Sequence, residues 1–344
     1  MIRIGIIGAG AWGRNHVRTF AAMEGVSLVG VADARRDVRE KLERSLPGLT
    51  TYETASSLLD SSGVDAVVIA TPSPTHADLG CLALQAGKHV LVEKPLALTS
   101  ADARRMVGEA EKAGKVLMVG HLLLYHSAVL YLRRLVDDGE LGDPLYLYCE
   151  RVNLGVIRKT ENALWSLAPH DFSVAGFLLS GRPTDVTARG AAYLQDGIHD
   201  VVFANLRFDG GQMANVHVSW LDPHKSRRMV LVGSRKMAVF DDMAGPEKVR
   251  IYDKSATLSP RAVGYEEFLA VRSGDILIPK VPMVEPLRQE AEHFCECVRE
   301  GKTPRSDGRN GLMVVEMLEA AQESLEAGGA PMTLSSGMEA SHDG

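Results

Sequence analysis

Gly8-Ala9-Gly10-Ala11-Trp12-Gly13 follows an apolar run, Ile2–Ile7, and opens a helix-like stretch. Among 33 glycines a G-x-G-x-x-G match carries little weight alone; its context gives it meaning. Gly8 permits a tight turn, Gly10 lets backbone approach a pyrophosphate, and Gly13 allows close helix–strand packing. The amides from Ala11 to Gly13, at a helix N-terminus, are then placed to receive phosphate. A second apolar run ends at Asp33, where a carboxylate can hold ribose hydroxyls and repel a 2′-phosphate. That favours NAD over NADP, although Arg35 and Arg36 soften the preference. The competing reading is a glycine-rich turn with no ligand.

Three more segments fall after apolar runs, where open α/β sheets place ligands. In Ala70-Thr71-Pro72-Ser73-Pro74-Thr75-His76, Thr71, Pro72, Ser73 and His76 are candidate cofactor contacts, or a stiff turn capping the next helix. Glu93-Lys94-Pro95 sets two opposite charges at the end of a buried strand, which is costly unless they are used. Glu93 and Lys94 are cofactor candidates, and a lysine beside a cationic nicotinamide has its proton loosened. Such a lysine can take a proton from a substrate hydroxyl; the alternative is a surface ion pair. Gly120-His121 ends the set, with His121 either lining the pocket or purely structural.

The elements that must position these residues alternate up to about Gly120. Strands read at Ile2–Ile7, Leu28–Ala32, Val64–Ala70, His89–Val92 and Val116–Val119, with helices at Thr75–Ala86 and Ser100–Ala113. Apolar strands separated by helices imply a doubly wound parallel sheet of Rossmann type. From Pro144 strands recur at Leu145–Val152, Asp185–Tyr193, Val201–Phe208, Met213–Trp220 and Arg228–Val232, joined by short turns. These predict an open, mainly antiparallel sheet. Helices are expected at His170–Leu179, Pro286–Arg299 and Gly311–Leu325, and the polar tail after Leu334 is expected to be mobile. The fold class is α/β, with a nucleotide domain at 1–121 and a substrate and oligomerisation domain at 122–344.

A net charge of −6 across 344 residues argues against nucleic acid. No apolar run reaches membrane-spanning length, and no signal-peptide layout opens the chain; a cytoplasmic location is expected. Four cysteines, Cys81, Cys149, Cys295 and Cys297, read as reduced thiols, and no metal site is expected among the 11 histidines.

The glycine fingerprint, Ala70-Thr71-Pro72 with His76, Glu93-Lys94-Pro95 and Gly120-His121 together resemble the glucose–fructose oxidoreductase / inositol dehydrogenase / MocA family. The resemblance covers nearly the whole chain. It implies reversible NAD(P)-linked oxidation of a sugar or cyclitol alcohol, catalysis by Lys94, and a homodimer or homotetramer. It also implies an Asp and a His one helical turn apart. His170 stands at the histidine position, but Ser166 replaces the aspartate, and a neutral hydroxyl cannot raise the histidine's pKa by charge. Asp171 is adjacent in sequence and points about a quarter-turn away.

Asn162 to Asp171, with Gly120 to His126, resembles the branch containing UDP-N-acetylglucosaminuronate 3-dehydrogenases. That resemblance implies a substrate carrying a carboxylate and a pyrophosphate, whose 3-hydroxyl becomes a ketone. Substrate contacts are then expected from Lys94, Tyr125, Arg158, Asn162, Ser166 and His170, with Arg151 and Lys159 as further cations; a solvated loop is the other reading of Arg158 and Lys159. A free-sugar or inositol dehydrogenase, an NAD-using glycosidase and a non-catalytic NAD-binding sensor are the alternatives.

Overall fold

The computed structural model describes residues 1–61, 63–258 and 269–334; the tail expected to be mobile lies outside them. Two compact units divide the chain: Met1–His126 with Val284–Val315, and Ser127–Met283 with the chain from Glu316 onward.

The first unit runs β1 (Ile2–Ile7), α1 (Gly13–Ala21), β2 (Val26–Ala32), α2 (Arg36–Ser45), β3 (Thr51–Tyr52), α3 (Ala55–Leu59), β4 (Ala66–Ile69), α4 (His76–Gln85), β5 (His89–Glu93), α5 (Ser100–Ala113) and β6 (Leu117–Gly120). The sheet order is β3-β2-β1-β4-β5-β6, and every pairing is parallel. β4 is buried along its whole length, as a strand covered on both faces must be. The order reverses between β1 and β4, so their carboxyl ends form the crevice in which such sheets bind ligands. α5 shows how the sequence bounds an element: Thr99 accepts the Asp102 amide at its start, and Gly114 ends it in the left-handed conformation.

The second unit begins with α6 (Ser127–Asp137), β7 (Pro144–Val152) and α7 (Ala163–Leu179). Strands β8 (Pro183–Ala191), β9 (Val201–Phe208), β10 (Met213–Ser219), β11 (Ser226–Gly233), β12 (Met237–Asp241), β13 (Val249–Leu258) and β14 (Leu269–Leu277) follow, and β15 (Met332–Thr333) closes the edge. The nine-stranded order is β14-β13-β12-β11-β7-β10-β9-β8-β15; only β7 with β10 is parallel, so the sheet is mainly antiparallel as expected. β9 alternates strictly, burying Val202, Ala204, Leu206 and Phe208 on the face that α7 covers and exposing Phe203.

Two expectations need correction. α7 starts at Ala163, seven positions before His170, because Asn162 accepts the Trp165 amide and nucleates the helix ahead of Pro169. Pro169 sits inside the helix and only leaves the Trp165 carbonyl without its donor. The linear division at 121/122 also misses a return of the chain. α8 (Pro286–Glu300) packs on α1 and on the short 3-10 turn Leu122–Tyr125, and the next segment bonds to β6 through Val119 N to Ser306 O, 2.7 Å. Leu287, Ala291 and Phe294 supply the apolar face that drives this return. α9 (Gly308–Glu326) then begins in the first unit and ends in the second.

Candidate active site

In the first unit the glycine loop joins β1 to α1. Gly8 has φ +89°, and a Cβ on it would lie 2.8 Å from the Ala70 carbonyl oxygen. A Cβ on Gly13 would run into the Gly8 carbonyl. A Cβ on Gly10, by contrast, would meet nothing within 4 Å, so that face of the loop is open. The loop thus has two glycines for its own closure and one facing space, which fits a pyrophosphate set against the N-terminus of α1. Asp33, at the end of β2, is bound to this loop: Oδ2 accepts the Ala9 amide at 2.8 Å and Oδ1 the Arg35 amide at 2.9 Å. Its carboxylate retains lone pairs for ribose hydroxyls. Arg35 reaches the same carboxylate at 3.5 Å with its side chain largely exposed.

At the ends of β4 and β5 the assignments divide. Thr71 bonds Thr75 through their hydroxyls at 2.7 Å, and Pro72 and Ser73 lie in the turn beside them. His76 is buried, with Nδ1 2.8 Å from the Pro95 carbonyl and Nε2 3.0 Å from the Thr71 carbonyl. Burial lowers its pKa, and a neutral ring donates to one of the two. Both nitrogens face carbonyl oxygens, one from each loop, so His76 ties the Thr71 turn to the Pro95 turn. Glu93 is buried as well: Oε1 receives His16 Nε2 at 2.7 Å and Oε2 lies 3.3 Å from the Lys94 amide. It therefore anchors the lysine loop to α1. Opposite it in register stands Gly120, where a Cβ would come within 3.2 Å of the carboxylate. His121 is fully buried with neither ring nitrogen bonded among the described residues; burial and then the Lys94 charge push its pKa down to about 3. Orphaned polar atoms of this kind fit a site completed by ligand or water. Tyr125, expected to touch substrate, is instead core: its hydroxyl meets Ser306 Oγ at 2.9 Å and the residue is 1% exposed.

In the second unit Ser166 and His170 lie one turn apart on α7, both half-buried, so they share a face. Asp171 is no substitute for the missing aspartate. Both its oxygens hold Arg151, Nε–Oδ2 2.7 Å and Nη2–Oδ1 2.9 Å, and the pair is buried. Arg151 is accordingly spent inside the unit and unavailable to a substrate anion. Asn162 is also occupied, capping Trp165 with its oxygen and donating to Gln322 Oε1 at 2.8 Å. Arg158 stays largely exposed, 3.6 Å from Glu161.

Sequence reasoning missed His16 and Glu290. Both sit on otherwise apolar helix faces, His16 beside Val17 and Phe20, Glu290 beside Leu287, Ala291 and Phe294. A polar residue in register with a buried stripe was the available signal. Burial and then Glu93 raise the Glu290 pKa well above the carboxylate range. Among the described residues no cluster of His, Cys, Asp or Glu is placed to hold a metal, no helix is long and apolar enough to cross a membrane, and all four cysteines are free and buried.

A parallel sheet of this order, with a glycine loop and carboxylate at its switch point, defines an NAD(P)-binding oxidoreductase. Residues 2–121 match the oxidoreductase family with an NAD-binding Rossmann fold, and residues 129–239 match the GFO/IDH/MocA C-terminal domain. The chain belongs to the Gfo/Idh/MocA family and is a dehydrogenase. It is 29% identical over 327 residues to UDP-N-acetylglucosamine 3-dehydrogenase of Acidithiobacillus ferrooxidans, covering 95% of this chain and 98% of that one. A solved structure of that enzyme superposes with a TM-score of 0.80 at 28% identity, covering 95% and 98% of the two chains. Myo-inositol 2-dehydrogenase of Thermotoga maritima is 26% identical over 335 residues, covering 94% of this chain and 96% of its own length.

Proposed function

We propose that this chain is an NAD-dependent dehydrogenase of a nucleotide sugar, oxidising the 3-hydroxyl of UDP-N-acetylglucosaminuronate or a close relative. The observation that carries the reading is Lys94, set at the carboxyl end of β5 by a buried Glu93–His16 pair, on the same sheet edge as Gly8, Gly10 and Asp33. NAD, when bound, supplies the hydride acceptor. Gly10 and the α1 N-terminus would receive its pyrophosphate, and Asp33 its ribose hydroxyls. The family resemblance gives the proton chemistry to Lys94 and His170, one taking the hydroxyl proton and the other stabilising the developing alkoxide. Arg158 and Lys159 favour an anionic substrate. Inositol oxidation is the second reading, supported by the Thermotoga relative, which matches over a similar length.

The test incubates purified protein with NAD and UDP-N-acetylglucosaminuronate, following NADH absorbance and substrate mass. NADH formation with loss of two hydrogens supports the proposal; oxidation of inositols alone moves the assignment to the second reading. Lys94→Ala should lower turnover by roughly 10²–10⁴-fold with NAD affinity nearly unchanged. Equal turnover in that variant would remove Lys94 from the mechanism.

A further inference from the structure

Tyr193 is 74% exposed, and its ring has no aromatic or cationic partner among the described residues. A large aromatic left in water is ordinary on a loose loop, but this loop is pinned. Asp200, fully buried, accepts the Tyr193 and Leu194 amides on Oδ2 at 2.6 and 2.9 Å, and its own backbone bonds Ala191 and Trp220. The buried Asp200 carboxylate thus fixes the backbone from which the exposed Tyr193 ring projects, so the ring is carried at a set place on the surface. The same loop is stitched to its neighbours within the second unit. Gln195 Nε2 donates to the Arg158 carbonyl at 2.8 Å, and the Ala163 amide, at the start of α7, donates to the His199 carbonyl at 2.9 Å. The loop that carries Tyr193 is thus hydrogen-bonded to the Arg158–Lys159 segment through Gln195 and to the start of the helix carrying Ser166 and His170 through His199. Lys159 pairs with no carboxylate among the described residues, and Arg158 holds Glu161 only at 3.6 Å.

We propose that Tyr193, Arg158 and Lys159 form the seat for the nucleoside diphosphate half of the substrate, the ring stacking on the base and the two cations facing the diphosphate. This rests on the nucleotide-sugar reading above and adds the residues that would enforce it. Tyr193 offers a flat, sequence-tolerant π-face, and the cations supply charge complementarity that an inositol would not need. The hydroxyl of Tyr193 has no part in the stacking, so phenylalanine should serve equally.

The test titrates UDP, and separately inorganic pyrophosphate, into the full NAD-loaded chain by calorimetry. Tyr193→Ala should weaken UDP about tenfold, Tyr193→Phe should restore it, and pyrophosphate should be insensitive to both. A double variant, Arg158→Gln with Lys159→Gln, should weaken both ligands. Wild-type UDP affinity in Tyr193→Ala overturns the proposal. So does a fall in sedimenting mass with UDP affinity kept, which would mean that a second copy of the chain covers the ring. The two readings fail separately. Oxidation of a UDP-sugar with an unchanged KM in Tyr193→Ala sinks the seat and leaves the activity standing. UDP binding with the expected variant pattern, but no oxidation of any UDP-sugar, supports the seat and sinks the activity. Inositol oxidation with no UDP binding to wild type removes both.

Discussion

Asp171 closes on Arg151 through two parallel hydrogen bonds in the buried seam between α7 and β7, one residue past His170. The bidentate geometry fixes the helix against the sheet, and with it the rotation at which His170 is presented. Removing either partner strands a buried charge, at a cost of about 3–5 kcal/mol. Asp171→Asn and Arg151→Gln should each show that loss in urea unfolding, whereas Arg151→Met combined with Asp171→Leu should recover most of it. Single variants as stable as wild type would mean that the pair does not hold α7.

Asp33 has two tasks that its substitution should separate. Its charge opposes a 2′-phosphate, while its oxygens hold the Ala9 and Arg35 amides and so shape the glycine loop. Asp33→Ser should therefore move the NADP/NAD ratio of kcat/KM upward by at least about tenfold, with Arg35 available to the added phosphate. Affinity for NAD should fall in the same variant because the loop loses its tie. Cofactor kinetics with both dinucleotides check this, and an unchanged ratio would show that Asp33 only supports the loop.

His121 makes stability depend on acid. Its folded pKa is pushed down to about 3 by burial and then by the Lys94 charge, against 6.5 in the unfolded chain. Between those values the unfolded chain binds more protons, so stability is full above pH 6.5 and declines as pH falls toward 3. The slope approaches about 1.4 kcal/mol per pH unit, or about 2 kcal/mol by pH 5. Denaturant unfolding of wild type and His121→Gln at pH 7 and pH 5 should show the variant losing less. Parallel losses would mean that His121 protonates without cost.

The parts of this protein legible in its sequence are those decided by neighbours along the chain. β1, the Gly8–Gly13 loop, α5 with its Thr99 cap and Gly114 stop, and the apolar β4 all follow from local pattern. Residue type also marks His76, Tyr125 and Asn162 as able to bind a ligand, but type does not say whether that capacity is already used. Their partners are Pro95, Ser306 and Gln322, respectively 19, 181 and 160 positions away. Asp171 is the same case, its charge answered by Arg151, 20 positions back. Only the fold brings such pairs together, and so only the fold separates a free polar group from a satisfied one.

Ser166 is where the family resemblance and this chain part, and the structure makes the difference testable. It is the fourth residue of α7 and sits one turn ahead of His170 on the same face. A carboxylate there would be near enough to favour the charged imidazole, raising the pKa of His170. It would also lie in the first turn of α7, which carries no acidic residue of its own, where the helix dipole favours negative charge. Ser166→Asp should consequently fold as well as wild type while shifting the acid limb of kcat/KM toward higher pH. If His170 is the group that takes the hydroxyl proton, a more basic imidazole should also raise the plateau rate, since proton abstraction follows base strength. A shifted limb with an unchanged plateau would give the proton to Lys94 and leave His170 to stabilise the alkoxide. An unshifted profile would place His170 outside the titration that governs the rate.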